Sequence, residues 1–96
     1  MERIKLMANY TITNEWQSLS TILGEAYDAT KQYRIHNNIS YPGKLCLTEE
    51  ETVTNQTIGR VYPELCEIYT PAGNNPYLRV IHSLVTGYNV EISEVE

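Results

Sequence analysis

Ninety-six residues, 42% of them hydrophobic and 20% charged, make one folded domain with one thin core; wholesale disorder and a deep, walled active site are both excluded. Seven Lys plus Arg against twelve Asp plus Glu give a net charge of −5. The cations Lys31, Arg34, Lys44, Arg60 and Arg79 stand singly, which disfavours nucleic-acid binding by phosphate neutralisation.

No apolar stretch approaches the ~18 residues of a membrane span, so no membrane partner is expected. Met1-Glu2-Arg3-Ile4-Lys5 lacks the apolar core of a secretory signal, and synthesis in the cytoplasm is the expectation. Residues 1–9 read as an N-terminal arm or tail, since regular patterning begins only at Tyr10 and Met7 would serve as a start as well as Met1. Residues 10–96 read as a single β-sandwich domain. Tyr10-Thr11-Ile12-Thr13 predicts a short strand. Asn14 then caps one helical turn that carries Trp16, Leu19, Ile22 and Leu23 on one face and ends at Gly24.

Residues 32–39 alternate as a half-buried strand, and Pro42-Gly43 fits the centre of a type II turn, so residues 44–48 are expected to return as its hairpin partner. Residues 49–56, with the charge run Glu49-Glu50-Glu51, read as a loop with a solvated tip. Short strands follow at 57–61, closed by Pro63, and at 64–70. The cluster Pro71-Ala72-Gly73-Asn74-Asn75-Pro76 predicts a turn, residues 77–81 another strand, and Gly87 the last reversal before a terminal strand at 88–93. Beyond it, Glu94 and Glu96 are expected to fray into solvent. About seven short strands with one helical turn predict an all-β fold, a small antiparallel β-sandwich of jelly-roll or Ig-like type.

Eight Tyr and no Phe supply nearly all of the aromatic area, which suits half-buried sheet faces and wet contacts. The sequence contains no glycine-rich phosphate loop, paired CxxC, HExxH or nucleophile elbow, and neither His36 and His82 nor Cys46 and Cys66 have the spacing of a metal or nucleophilic set. Cys46 and Cys66 read as free thiols inside strands. The triplets starting at Asn9, Asn38 and Asn55 fit the glycosylation pattern but are expected to be inert. No catalytic residue, cofactor or metal is expected.

The order of segments carries a resemblance. A short strand is followed by Glu15-Trp16-Gln17-Ser18-Leu19-Ser20, then Tyr33-Arg34-Ile35-His36-Asn37, Leu45-Cys46-Leu47, Gly59-Arg60-Val61-Tyr62-Pro63 and a late Tyr77-Leu78-Arg79-Val80. This order resembles small β-sandwich structural proteins of tailed bacteriophages, although Cys46, Cys66 and the 49–56 loop depart from that pattern. The resemblance implies a non-enzymatic virion protein that decorates the capsid or connects its parts. Its expected partners are further copies of itself, as a homo-oligomer, and other virion proteins such as the major capsid protein. Interface candidates are Tyr10 and Ile12 on the first strand, Trp16, Leu19 and Ile22 on the helix, and Tyr88, Val90 and Ile92 on the terminal strand, offered as an exposed edge. Two other readings fit the same residues: a small inhibitor of a host protein, and a carbohydrate-binding β-sandwich that uses its Tyr and Asn.

Overall fold

The structure, a computed structural model, describes residues 4–39, 42–50, 52–54, 56–82 and 87–95. Eight strands form among them: β1 (Ile4–Thr13), β2 (Gln17–Ser18), β3 (Gln32–His36), β4 (Lys44–Thr48), β5 (Arg60–Tyr62), β6 (Glu67–Thr70), β7 (Tyr77–Ile81) and β8 (Gly87–Val95). They make two four-stranded sheets, in the orders β1-β8-β3-β6 and β2-β7-β4-β5, with every pairing antiparallel. The pairings β1-β8, β2-β7, β3-β6 and β4-β5 are those of one long hairpin whose two arms roll together, so the sandwich is a jelly roll.

Alternation places the core. Along β3, Tyr33 and Ile35 point inward while Gln32, Arg34 and His36 are half-buried. Ile12, Leu19, Ile35, Leu45, Leu78, Val80, Val90 and Ile92 are fully buried between the sheets. Each contributes roughly 1.5–3 kcal/mol relative to exposure. Tyr33 joins them because its hydroxyl has partners: it accepts from the Asp28 amide at 2.7 Å and donates to the Ala26 carbonyl at 3.3 Å. Burial pushes its pKa above the ordinary 10.0. Asp28 closes the adjoining turn, accepting from the Thr30 amide at 2.9 Å and hydroxyl at 2.6 Å, and these bonds hold its carboxyl below the ordinary 3.8.

Several elements differ from the sequence reading. From Ile4 onward the expected arm is part of the sheet, paired with β8 from Ile4↔Val95 to Thr13↔Gly87, with a bulge between Leu6 and Ala8; residues 1–3 lie outside the described residues. The helix, α1 (Leu19–Leu23), is capped by Ser18 rather than Asn14: the Ser18 hydroxyl accepts from the Thr21 amide at 3.2 Å, and the Leu19 amide donates to the Pro76 carbonyl at 2.8 Å. Gly24 ends it at φ 61°, and Trp16 precedes it. β3 and β4 are not a hairpin, because β3 pairs with β6 and β8 while β4 lies in the opposite sheet between β5 and β7. Gly43 permits this crossing of the core, since a Cβ there would stand 3.0 Å from both Ile39 and the Tyr88 ring.

The strand expected at 64–70 begins only at Glu67. Leu65 has the left-handed φ of 65°, and the Cys66 amide turns back to the Pro63 carbonyl at 3.3 Å. Glu94 does not fray: it is the register partner of Tyr33, and its carboxylate lies 3.7 Å from the Lys31 ammonium. The 71–76 turn forms as expected, with Gly73 at φ 88° and the Asn74 amide donating to the Pro71 carbonyl at 3.1 Å. Glu49 and Glu50 are exposed in the β4-β5 connection, while Glu51 lies outside the described residues.

Candidate functional site

The large hydrophobic side chains left exposed among the described residues are Ile58 (88%), Leu65 (68%), Val61 (47%) and Tyr69 (47%). They belong to β5, to β6 and to the segments beside them. These are edge strands of opposite sheets joined by residues 63–66 alone: Ile58, Val61 and Leu65 lie on and beside β5, with Val61 on the outer face of the second sheet, while Tyr69 projects from the outer face of the first.

Local chemistry builds the segment around β5. Gly59 lies under the indole of Trp16: a Cβ there would stand 2.4 Å from Cη2 and 2.8 Å from the Leu47 carbonyl oxygen. Pro63 ends β5 after three residues, because proline has no amide hydrogen for the ladder. The turn that follows is tied to the end of β3 by Asn37. Its buried side chain donates Nδ2–H to the carbonyls of Pro63 at 2.8 Å and Tyr62 at 3.4 Å, and its Oδ1 accepts from the Ile39 amide at 3.2 Å. The Asn37 main chain donates to the Cys66 carbonyl at 2.9 Å and accepts from the Leu65 amide at 2.7 Å. Those bonds hold Leu65 in a backbone conformation that costs a residue with a Cβ about 1–2 kcal/mol. Its side chain meanwhile points into solvent.

A cleft flanks each end of β5. One, of about 390 Å³, adjoins Leu47, Ile58, Gly59 and Arg60; the other, of about 320 Å³, adjoins Ile39, Lys44, Pro63 and Glu64. Arg60 is exposed, with its guanidinium 5.3 Å over the Tyr62 ring, and Glu64 is exposed at the opposite end of the strand. Residues 58–65 therefore expose Ile58, Val61 and Leu65 with a cation, Arg60, at the start of β5 and an anion, Glu64, beyond its end.

The outer face of the first sheet is polar. Arg34 donates to Glu91 at 2.9 Å, Glu67 at 3.4 Å and Ser93 at 3.4 Å. Glu67 also accepts from the Tyr69 hydroxyl at 3.3 Å and lies 3.8 Å from the His36 ring. On the outer face of the second sheet the Arg79 guanidinium stacks 4.7 Å from the Trp16 ring. Cys46, the register partner of Arg79, is a buried free thiol, and Cys66 is a half-buried one. Burial pushes the Cys46 pKa above 9.0 against the opposing pull of Arg79 and Lys44.

The expected interface residues divide. Ile12, Leu19, Val90 and Ile92 are fully buried in the core, which corrects their assignment to a surface. All four side chains point into the core between the sheets, and β8, lying between β1 and β3, has no free edge to offer. Tyr10, Ile22 and Tyr88 are half-buried against the same core, and half-buried Trp16 lies over Arg79 and against Gly59. The exposure of Ile58, Val61 and Leu65 was not foreseen because all three fell inside strands expected at 57–61 and 64–70 that prove shorter. The available signal was the bracketing of a very short strand by Gly59 and Pro63. Among the described residues no group of three or more His, Cys, Asp or Glu is placed to hold a metal ion. No protein-family model, curated protein or solved structure matches this chain.

Proposed function

We propose that the protein works by protein–protein assembly, as a non-enzymatic bacteriophage virion module that decorates the capsid or connects its parts. The observation that supports this reading is the exposure of Ile58, Val61 and Leu65 on and beside the short edge strand β5, in a sandwich whose other large apolar side chains among the described residues, Tyr69 apart, are buried fully or in part. Large apolar side chains exposed along one short segment of a small domain suit a contact surface. Jelly rolls occur among viral capsid domains, lectins and cupins, so the fold is compatible with the proposal by analogy alone. The partners proposed are further copies of the chain and other virion proteins, the major capsid protein among them. Mass spectrometry of gradient-purified particles from cells carrying the gene tests it. Stoichiometric presence in particles is the expected result, and presence only in the soluble fraction overturns the proposal.

The polar face around Arg34 favours a second reading, carbohydrate binding. Exposed Tyr69 offers a ring for a sugar to stack on, beside hydrogen-bonding groups held in place by one another. Glycan-array binding that is lost in Tyr69→Ala supports that reading, and an array without signal rejects it.

A further inference from the structure

We infer that the 58–65 segment pairs with the same segment of a second copy, two β5 edges meeting antiparallel about a two-fold axis at Tyr62. The inference rests on the assembly reading and names the first partner of that surface.

β5 ends its sheet, so among the described residues one of its edges carries no strand. In a two-fold contact the surface must complement itself, with residue i meeting j and j meeting i. Antiparallel pairing brings the start of one β5 against the end of the other. At the start are exposed Ile58, Arg60 and the cleft of about 390 Å³; at the end are Glu64, Leu65 and the cleft of about 320 Å³. Arg60 of each copy thus faces Glu64 of the other, forming two opposite-charge pairs, while Ile58 and Leu65 project toward the clefts across the axis. Val61 lies next to the axis with its side chain on the outer face, beside Cys46. A parallel pairing would set Arg60 against Arg60 and Glu64 against Glu64, so charge selects the antiparallel arrangement.

The other three edges suit this contact less well: β6 (Glu67–Thr70) carries Glu67, already paired with Arg34, and no cation of its own to meet it in a second copy. β2 has only two residues, and β1, the longest edge, carries the bulge between Leu6 and Ala8 that blunts an edge against pairing. The strained Leu65 also gains a purpose, because the conformation that exposes it places an apolar side chain where the second copy's Ile58 end arrives.

Sedimentation equilibrium on the purified full chain, at concentrations up to ~1 mM, reads the outcome directly. The expected mass rises from 11.0 kDa toward twice that value. Arg60→Glu and Glu64→Arg should each weaken association by ~10-fold or more, and the double variant should return to within ~3-fold of the original. Circular dichroism confirms that each variant is folded. Should Arg60→Glu not fold, Ile58→Glu, at a position 88% exposed, carries the same test and should also weaken association. A chain that stays monomeric at ~1 mM overturns the inference, as do single variants without effect or a double variant as weak as the singles. The mass is measured without particles, so a monomer rejects the dimer alone, whereas a dimer absent from particles supports the dimer and rejects the virion reading.

Discussion

The Cη2 atom of Trp16 occupies the space a side chain on Gly59 would need: a Cβ at Gly59 would stand 2.4 Å from it. Trp16 precedes β2 at one edge of the second sheet and Gly59 precedes β5 at the other, so the indole reaches across the outer face from half-buried Arg79 toward Gly59. Gly59→Ala is expected to cost about 1–3 kcal/mol in urea unfolding. In a Trp16→Leu background the penalty should shrink but persist, because the Leu47 carbonyl oxygen would still lie 2.8 Å from the added carbon. A full penalty in that background would show that the indole is not the obstacle.

Asn37 is a polar residue that the core needs. Truncation to Ala leaves the Pro63 carbonyl and the Ile39 amide without their side-chain partner, at a cost of about 2–4 kcal/mol. Asn37→Asp should be worse despite its matching shape, since a carboxylate only accepts and would face two carbonyl oxygens. Thermal or urea melts of the two variants, ranked in that order, check the assignment.

The thiols should separate by reactivity. Buried Cys46 keeps its proton to higher pH than a free thiol does, whereas Cys66 is half-buried, so a thiol reagent under native conditions should modify Cys66 first and both residues in urea. The same shift has a stability consequence with a definite sign. Below 9.0 both folded and unfolded thiols are protonated and the contribution is present; as pH rises through the raised folded value, the contribution is lost. A Cys46→Ala variant should therefore lose less stability than the parent between about pH 8 and about pH 10. Equal losses in the two proteins would reject the role of Cys46.

Leu65→Gly separates folding from contact. Glycine adopts the φ of 65° without strain, and the relief offsets the extra freedom of the unfolded chain, so stability should stay within about 1 kcal/mol. Self-association should fall, because the exposed side chain is removed. Unfolding curves and sedimentation on the same preparation measure both quantities; a large loss of stability would mean that the leucine packs within its own chain.

Much of this architecture was legible in the residues. Alternation through 32–39 marked a half-buried strand, and the Pro and Gly-Asn clusters marked reversals, whereas Val90 and Ile92, read as a contact edge, are core. Which strands share a sheet was not legible. The 3.0 Å approach of Ile39 and Tyr88 to Gly43, which lets the chain cross the core between β3 and β4, depends on residues 45 positions apart in sequence, whereas a Pro-Gly pair suggests a local hairpin. Leu65 misled for a similar reason. Its apolar character fits a strand, and only the distant Asn37 hydrogen bonds turn it outward.

The place of β8 in the first sheet sets an order of events. It bonds to β1 on one side and β3 on the other, so a nascent chain that has emerged only as far as β7 holds β1 with no strand beside it. Closure waits for residues 87–95 and joins Ile4 to Val95 across nearly the whole sequence. Such distant pairings fold slowly, and until they form the apolar strands are open to chaperones or to neighbouring chains on the same messenger. The timing of synthesis thus gives partner copies a window to meet before each has sealed its own sheet.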